Sequence, residues 1–250
     1  MHRVTTERRG RVLVIRMDRP DKRNAVDAAM TAELDAALNT LEDDPELWCG
    51  VLTGGPDMFC AGTDLKGGPG TPTERGGNYG VVKRRRSTPL VAAVDGIALG
   101  GGFEIVLSCD LVVAGRSARF GLPEVSRGVI ANCGALFRAQ RPLPLNIAKQ
   151  MLLTGQPLSA TRAHELGLVS EVVDDGTALE GALVLAEQIC RNSPFAVGET
   201  LKAVEQVVGA TDEAGWAATA EALSAILASA DRREGVQAFL EKREPQWVGR

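Results

Sequence analysis

Hydrophobic and polar positions follow two different periods along this chain of 250 residues, and the switches between them mark its elements. Arg11–Met17 (RVLVIRM) is short and β-branched, which predicts a strand. A polar turn, Arg19–Asn24, comes next. From Asp27 to about Glu42 the apolar residues Met30, Leu34, Leu38 and Leu41 recur at helical spacing, so they share one face of a helix that Pro45 closes. Cys49–Thr53 reads as a second strand, ended by Gly54-Gly55-Pro56. Strand, helix and strand in such quick succession are the mark of an α/β protein.

Lys66–Gly80 holds six glycines and two prolines and predicts a mobile surface loop. Strand-like sequence resumes at Pro89–Val94, turns at Asp95-Gly96, and continues as a helix over Phe103–Cys109 and a strand over Leu111–Ala114. Pro144–Leu153 predicts a helix stopped by Gly155, and Ser159 caps a shorter one running to Gly167. Val172-Val173 is a short strand. From Thr177 onward the pattern is helical, with breaks near Pro194 and Thr211. These patterns divide the chain into an α/β core over residues 1–192 and a helical segment over 193–250.

Composition narrows the function. Apolar residues make up 44% and charged residues 24%, with a net charge of -4, which speaks against nucleic acid as a partner. The one basic run, Lys83–Arg86, is either a solvated surface turn or a contact for an anionic cofactor phosphate. Five cysteines, with no C-x-x-C pair, suit thiols kept reduced. No apolar stretch reaches membrane-spanning length and the first residues carry no signal-like apolar region, so a cytoplasmic protein is expected.

Only two histidines, His2 and His164, are available, so a metal cluster or a histidine-based triad has little to draw on. Carboxylates and glycines remain. Gly100–Gly102 stand between a predicted strand and helix, where they either leave backbone N–H groups bare or simply permit close packing. Glu104 lies in the first turn of that helix, as an acid/base group or as a first-turn capping residue. Cys60–Lys66 is a second small-residue turn. Glu124 follows Pro123 among apolar neighbours, where a raised pKa would suit acid/base work and a plain helix-start role is the alternative.

Taken in order, several segments make the chain resemble the crotonase superfamily, the enoyl-CoA hydratase/isomerase family. They are Arg19-Pro20 with Asn24–Val26, Cys60–Leu65, Ala98–Glu104, Phe120–Glu124, Ala163–Val169 and Phe239–Arg243. The resemblance runs from about Arg19 to Arg250 and implies a ββα superhelical core with a C-terminal helical segment that assembles subunits into trimers or dimers of trimers. It implies an acyl-CoA substrate and no separate cofactor.

Residue by residue, the resemblance makes the N–H groups of Thr63 and Gly101 an oxyanion hole. It makes Glu104 and Glu124 the catalytic pair of a 2-enoyl-CoA hydratase, and assigns coenzyme A contacts to Arg23, Ala25, Val26, Ala61, Asp64, Leu65 and Lys66. An enoyl-CoA isomerase is the alternative reaction, and an acyl-CoA-binding protein without turnover the alternative class. One departure stands out: Ile130–Ala135 replaces a glycine-rich stretch, with Asn132 where the family has a glycine whose N–H helps position the catalytic groups, and with Cys133 and Phe137 expected to reshape the pocket. Trp216, Leu223 and Ile226 either face a neighbouring subunit or pack on their own core.

Overall fold

The computed structural model describes residues 2–249. Its frame is a six-stranded sheet. β1 (Val4–Arg9) pairs antiparallel with β2 (Val12–Met17), and β3 (Cys49–Thr53), β4 (Leu90–Val94), β6 (Leu111–Gly115) and β9 (Glu171–Val173) add in parallel, in that order. A smaller sheet joins β5 (Ile97–Leu99), β7 (Arg119–Gly121) and β8 (Leu158–Ser159). Helices α1 (Ala28–Asp43), α2 (Gly101–Val106), α3 (Ala135–Arg138), α4 (Leu145–Thr154) and α5 (Ala160–Glu165) connect them. Then come α6 (Ala178–Cys190), α7 (Pro194–Val208), α8 (Asp212–Ala228) and α9 (Ala230–Glu241).

The central strands are buried on both faces, as parallel strands usually are. Their two-residue period sorts side chains into two cores. Leu52, Leu90, Ala92, Val94, Val112 and Ala114 face the main core, where α1 contributes Met30, Leu34, Leu38 and Leu41. Val51, Val91, Ala93 and Val113 face the other way, onto Ala178, Ala182 and Ala186 of α6. Alanines one turn apart let that helix lie close against the sheet. At the near end, Asp27 caps α1 by accepting from the Met30 N–H at 2.9 Å.

Each long strand runs through a tight turn into a short one: β4 into β5 through Asp95-Gly96, and β6 into β7. Cys60 extends the pattern to β3 by bridging to Ala98 of β5. This strand–turn–short strand–helix repeat is the superhelical α/β core that the resemblance implies. Its consequence is that the ends of several layers converge on β5, which is where α2 begins.

Three expectations are qualified by the structure. The Lys66–Gly80 loop is stitched to α1: Thr31 Oγ1 donates to Pro69 O at 2.6 Å and Thr73 Oγ1 to Asp35 Oδ1 at 2.7 Å. The basic run divides: Lys83 and Arg85 are exposed, while Arg84 and Arg86 turn inward. The side chains of Arg84 and Arg86 are covered and paired with Asp35 and Asp110, and Lys83 lies over the Trp216 ring. The C-terminal helices also grip their own core. Phe137 meets Trp216 edge-on at 5.0 Å and Gly215 sits against the same ring, so Phe137 points to α8 rather than into a pocket. His164 Nδ1–H donates to Val169 O at 2.9 Å and holds the turn after α5.

Candidate active site

The site is assembled around Asn24. Its backbone is left-handed, at φ 53°, and its side chain is buried. Nδ2 donates to the carbonyls of Gly54, Met58 and Phe59 at 2.8–3.1 Å, while Oδ1 accepts the Arg19 N–H at 2.8 Å. Asparagine tolerates this conformation better than most residues. The turn it shapes lies along Ala61–Asp64: Ala61 N donates to Arg23 O, Val26 N to Gly62 O and Asp64 N to Val26 O.

The residues expected to contact coenzyme A lie in and around this turn at different depths. Val26 is fully buried and both its main-chain groups are taken, so it is scaffold. The Asp64 carboxylate takes Arg19 Nη1 at 2.7 Å and the N–H groups of Lys66 and Gly67, which hold its pKa down to about 2. Arg23, Leu65 and Lys66 are exposed, and Ala25 and Ala61 are half-buried.

The strand-like segment at Cys60 lies beside β5, with Leu99 N donating to Cys60 O at 3.0 Å. That contact brings Thr63 and Gly101 together. Gly62, at φ +96°, is so close that a Cβ there would stand 3.2 Å from the Gly101 nitrogen. Among the described residues neither the Thr63 nor the Gly101 N–H meets an acceptor. The three glycines of the run have separate reasons. A Cβ at Gly100 would stand 3.1 Å from Glu124 Oε1, one at Gly101 would overlap the Tyr79 hydroxyl, and one at Gly102 would overlap Cys60 O.

Glu104, on α2, is 2% exposed. Its Oε1 accepts the N–H groups of Cys133 at 2.7 Å and Ala135 at 3.1 Å. The loop carrying Asn132 thus still presents two N–H groups to Glu104. The left-handed position is taken by Gly134, at φ +109°, and Asn132 is not strained. Glu124 opens a short 3-10 helix, Glu124–Arg127, and its Oε2 is buried with no hydrogen-bond partner among the described residues. That helix is clamped by α9: Gly128 and Gly235 meet the facing backbone so closely that neither position has room for a Cβ.

Burial, with the charge on Glu124 adding to it, pushes Glu104 up to about 8, and burial pushes Glu124 up to about 7. With both values at or above neutrality, the pair is largely protonated near pH 7. Glu104 is therefore mostly protonated at rest, and in the reacting form, where the pair has lost a proton, the hydrogen bonds decide which carboxyl carries the charge. Two N–H donors suit a carboxylate at Glu104, and an orphaned oxygen suits a neutral acid at Glu124.

Tyr79 is the site residue that sequence reasoning missed. Its hydroxyl lies 2.8 Å from Thr63 Oγ1, and burial raises its pKa well above the ordinary value. The signal available was a lone tyrosine set among Gly76, Gly77 and Gly80. A cavity of about 750 Å³ between α7 and the ends of α2 and β6 is lined by none of Thr63, Gly101, Glu104 or Glu124. Among the described residues no group of His, Cys, Asp and Glu is arranged to hold a metal ion, and no helix is long and apolar enough to cross a membrane.

A glycine-bared pair of N–H groups beside two buried carboxyls, on this fold, defines a class. Residues 7–250 match the family model for enoyl-CoA hydratase/isomerase, and the chain belongs to that family. It is 38% identical to a mevalonyl-coenzyme A hydratase of Aspergillus fumigatus, over 94% of this chain and 91% of that one. It is 36% identical to a 2,3-dehydroadipyl-CoA hydratase of Escherichia coli, over the full length of both. Among solved structures, a carnitinyl-CoA hydratase from Mycobacterium avium superposes with a TM-score of 0.95 at 42% identity, covering all of both chains.

Proposed function

We propose that the protein hydrates a 2-enoyl-CoA to the 3-hydroxyacyl-CoA, with Glu104 and Glu124 as the acid/base pair. The observation that carries this is the unlike bonding of two neighbouring carboxyls, one held by two N–H groups and one with an orphaned oxygen. A pure binder needs neither. The thioester oxygen sits between the N–H groups of Thr63 and Gly101, which gain most as negative charge builds there. Glu104, ionised, takes a proton from water as the hydroxyl adds to the β-carbon. Glu124, neutral, delivers its proton to the α-carbon, and proton transfer between the two acids restores the starting state.

Arg23, Ala25, Ala61, Leu65 and Lys66 line the approach of the coenzyme A part of the substrate, with Val26 and Asp64 shaping it from below. No separate cofactor takes part. Exposed apolar residues on the C-terminal helices, among them Phe195, Val207 and Leu240, support a homo-oligomer, a trimer or a dimer of trimers. Five free thiols support a cytoplasmic protein.

A panel of 2-enoyl- and 3-enoyl-CoA thioesters tests the reading through the conjugated chromophore. Loss of absorbance with at least one 2-enoyl-CoA is expected. Turnover of 3-enoyl thioesters alone would replace hydration by isomerisation, and tight binding without turnover of any would make the protein a binder.

A further inference from the structure

Tyr79 is expensive to place. It holds φ 58° and ψ 6°, a left-handed conformation that costs a bulky residue on the order of 1–3 kcal/mol and that persists only where the surroundings impose it. It is also 3% exposed, with its polar end turned inward. A Cβ at Gly101 would overlap the hydroxyl, which puts the phenol oxygen within about 5 Å of the Gly101 nitrogen. The same oxygen is 2.8 Å from Thr63 Oγ1. The phenol thus touches both residues that bare an N–H, and it faces Glu104 and Cys133 as well.

The neighbours of Tyr79 continue as a polar wall. Asn78 Nδ2 donates to Cys133 Sγ at 3.0 Å, Cys133 Sγ lies 3.5 Å from Asn132 Oδ1, and the Cys133 N–H holds Glu104. Two hydroxyls that share one hydrogen bond have one hydrogen left over. Cys133 sulfur, within reach of the phenol, is only a weak acceptor and already takes Asn78 Nδ2. An alkyl chain against this wall leaves that hydrogen to the weak sulfur acceptor, whereas an oxygen on the acyl group takes it in a stronger bond. A negatively charged acyl end is disfavoured, because two carboxyls stand nearby. Arg138, the cation that acts on Glu104, is itself spent on Val82 O and Ser108 Oγ.

We propose that Tyr79, with Thr63, is a specificity-determining pair that selects a short, uncharged acyl group carrying a hydroxyl or other oxygen. The proposal rests on the reading of Thr63 and Gly101 as the thioester-oxygen site. It makes the natural substrate a polar short-chain 2-enoyl-CoA rather than a fatty one. Enzymes built to hydrogen-bond a substrate hydroxyl discriminate strongly against the analogue lacking it.

The test compares kcat/KM for crotonyl-CoA, its terminally hydroxylated counterpart, octenoyl-CoA and glutaconyl-CoA in the wild type, Tyr79→Phe and Thr63→Val. The wild type is expected to prefer the hydroxylated thioester by about 10-fold or more over the other three. Each variant is expected to lose at least most of that preference. The wild type favouring octenoyl- or glutaconyl-CoA, or both variants keeping the preference, would overturn the proposal. Calorimetric binding of butanoyl-CoA and hydroxybutanoyl-CoA separates this from the reaction itself. If no thioester turns over, the hydratase reading fails, yet a hydroxyl preference abolished in Tyr79→Phe still upholds the pair, and equal affinities overturn it.

Discussion

Replacing Glu104 by glutamine trades activity for stability, and the size of the trade follows from the carboxyl's surroundings. In the folded protein its pKa lies near 8, against 4.5 for an unburied glutamate. Between those values folding takes up a proton, so this group lowers stability progressively as pH rises from about 4.5 to about 8. Each pH unit in the window is worth about 1.4 kcal/mol, so the loss reaches about 3 kcal/mol at pH 7. Glutamine carries no such penalty. Both N–H donors, from Cys133 and Ala135, address the single oxygen Oε1, so an amide oxygen accepts the same pair. The new amide nitrogen has no acceptor waiting and takes back part of the gain. Glu104→Gln is therefore expected to be more stable than the wild type by about 1–3 kcal/mol at pH 7, and by no more than about 0.5 kcal/mol at pH 5. Urea unfolding at fixed protein concentration across pH 5 to 8 reads the gap directly. A variant less stable at pH 7, or a gap that does not widen with pH, would refute the reasoning.

Other perturbations probe the frame around the pair. Gly62→Ala places a methyl at φ +96°, 2.9 Å from Leu99 O; it should cost about 1–3 kcal/mol in chemical denaturation and lower kcat at least about 10-fold by parting Thr63 from Gly101. Arg86→Ala leaves the largely covered Asp110 carboxylate with only the Leu90 N–H, and a loss of about 3 kcal/mol by thermal or urea unfolding is expected. The Asp64 carboxyl, held down to about 2, contributes stability that is present above its usual pKa of 3.8 and lost as pH falls through about 2. Asp64→Asn should accordingly flatten the acid limb of the stability profile between about pH 4 and pH 2. A variant with the wild-type acid limb would remove Asp64 from that role.

Much of this was legible before any coordinates. The α1 face and the strand at Cys49–Thr53 carry strong periodic or β-branched signals, and the structure matches both to within a residue or two. β1 escaped notice because only Val4 of its six residues turns inward, so an edge strand of polar residues shows no alternation. β5, β7 and β8 are two or three residues long, too short for any period. The break at Ser229 between α8 and α9 carries no glycine or proline, only a serine that caps the second helix. Arg84 and Arg86 read as surface because a run of cations says nothing about the aspartates that arrive from α1 and β6's approach. Glu104 and Glu124 stood out by their local context, but what distinguishes them is non-local. The N–H groups that hold Glu104 come from about thirty residues further along the chain. Tyr79 was hidden by its glycine-rich setting, and only the fold puts it against Gly101.

The central claim is that Glu104 and Glu124 act together on water and a conjugated thioester. Steady-state hydration of a 2-enoyl-CoA by the wild type, Glu104→Gln and Glu124→Gln tests it most directly, with folding of each variant checked by its unfolding curve. Turnover by the wild type, with kcat lower by about 10²-fold or more in each single variant and KM little changed, is the predicted result. Near-wild-type kcat in either well-folded variant would contradict the account.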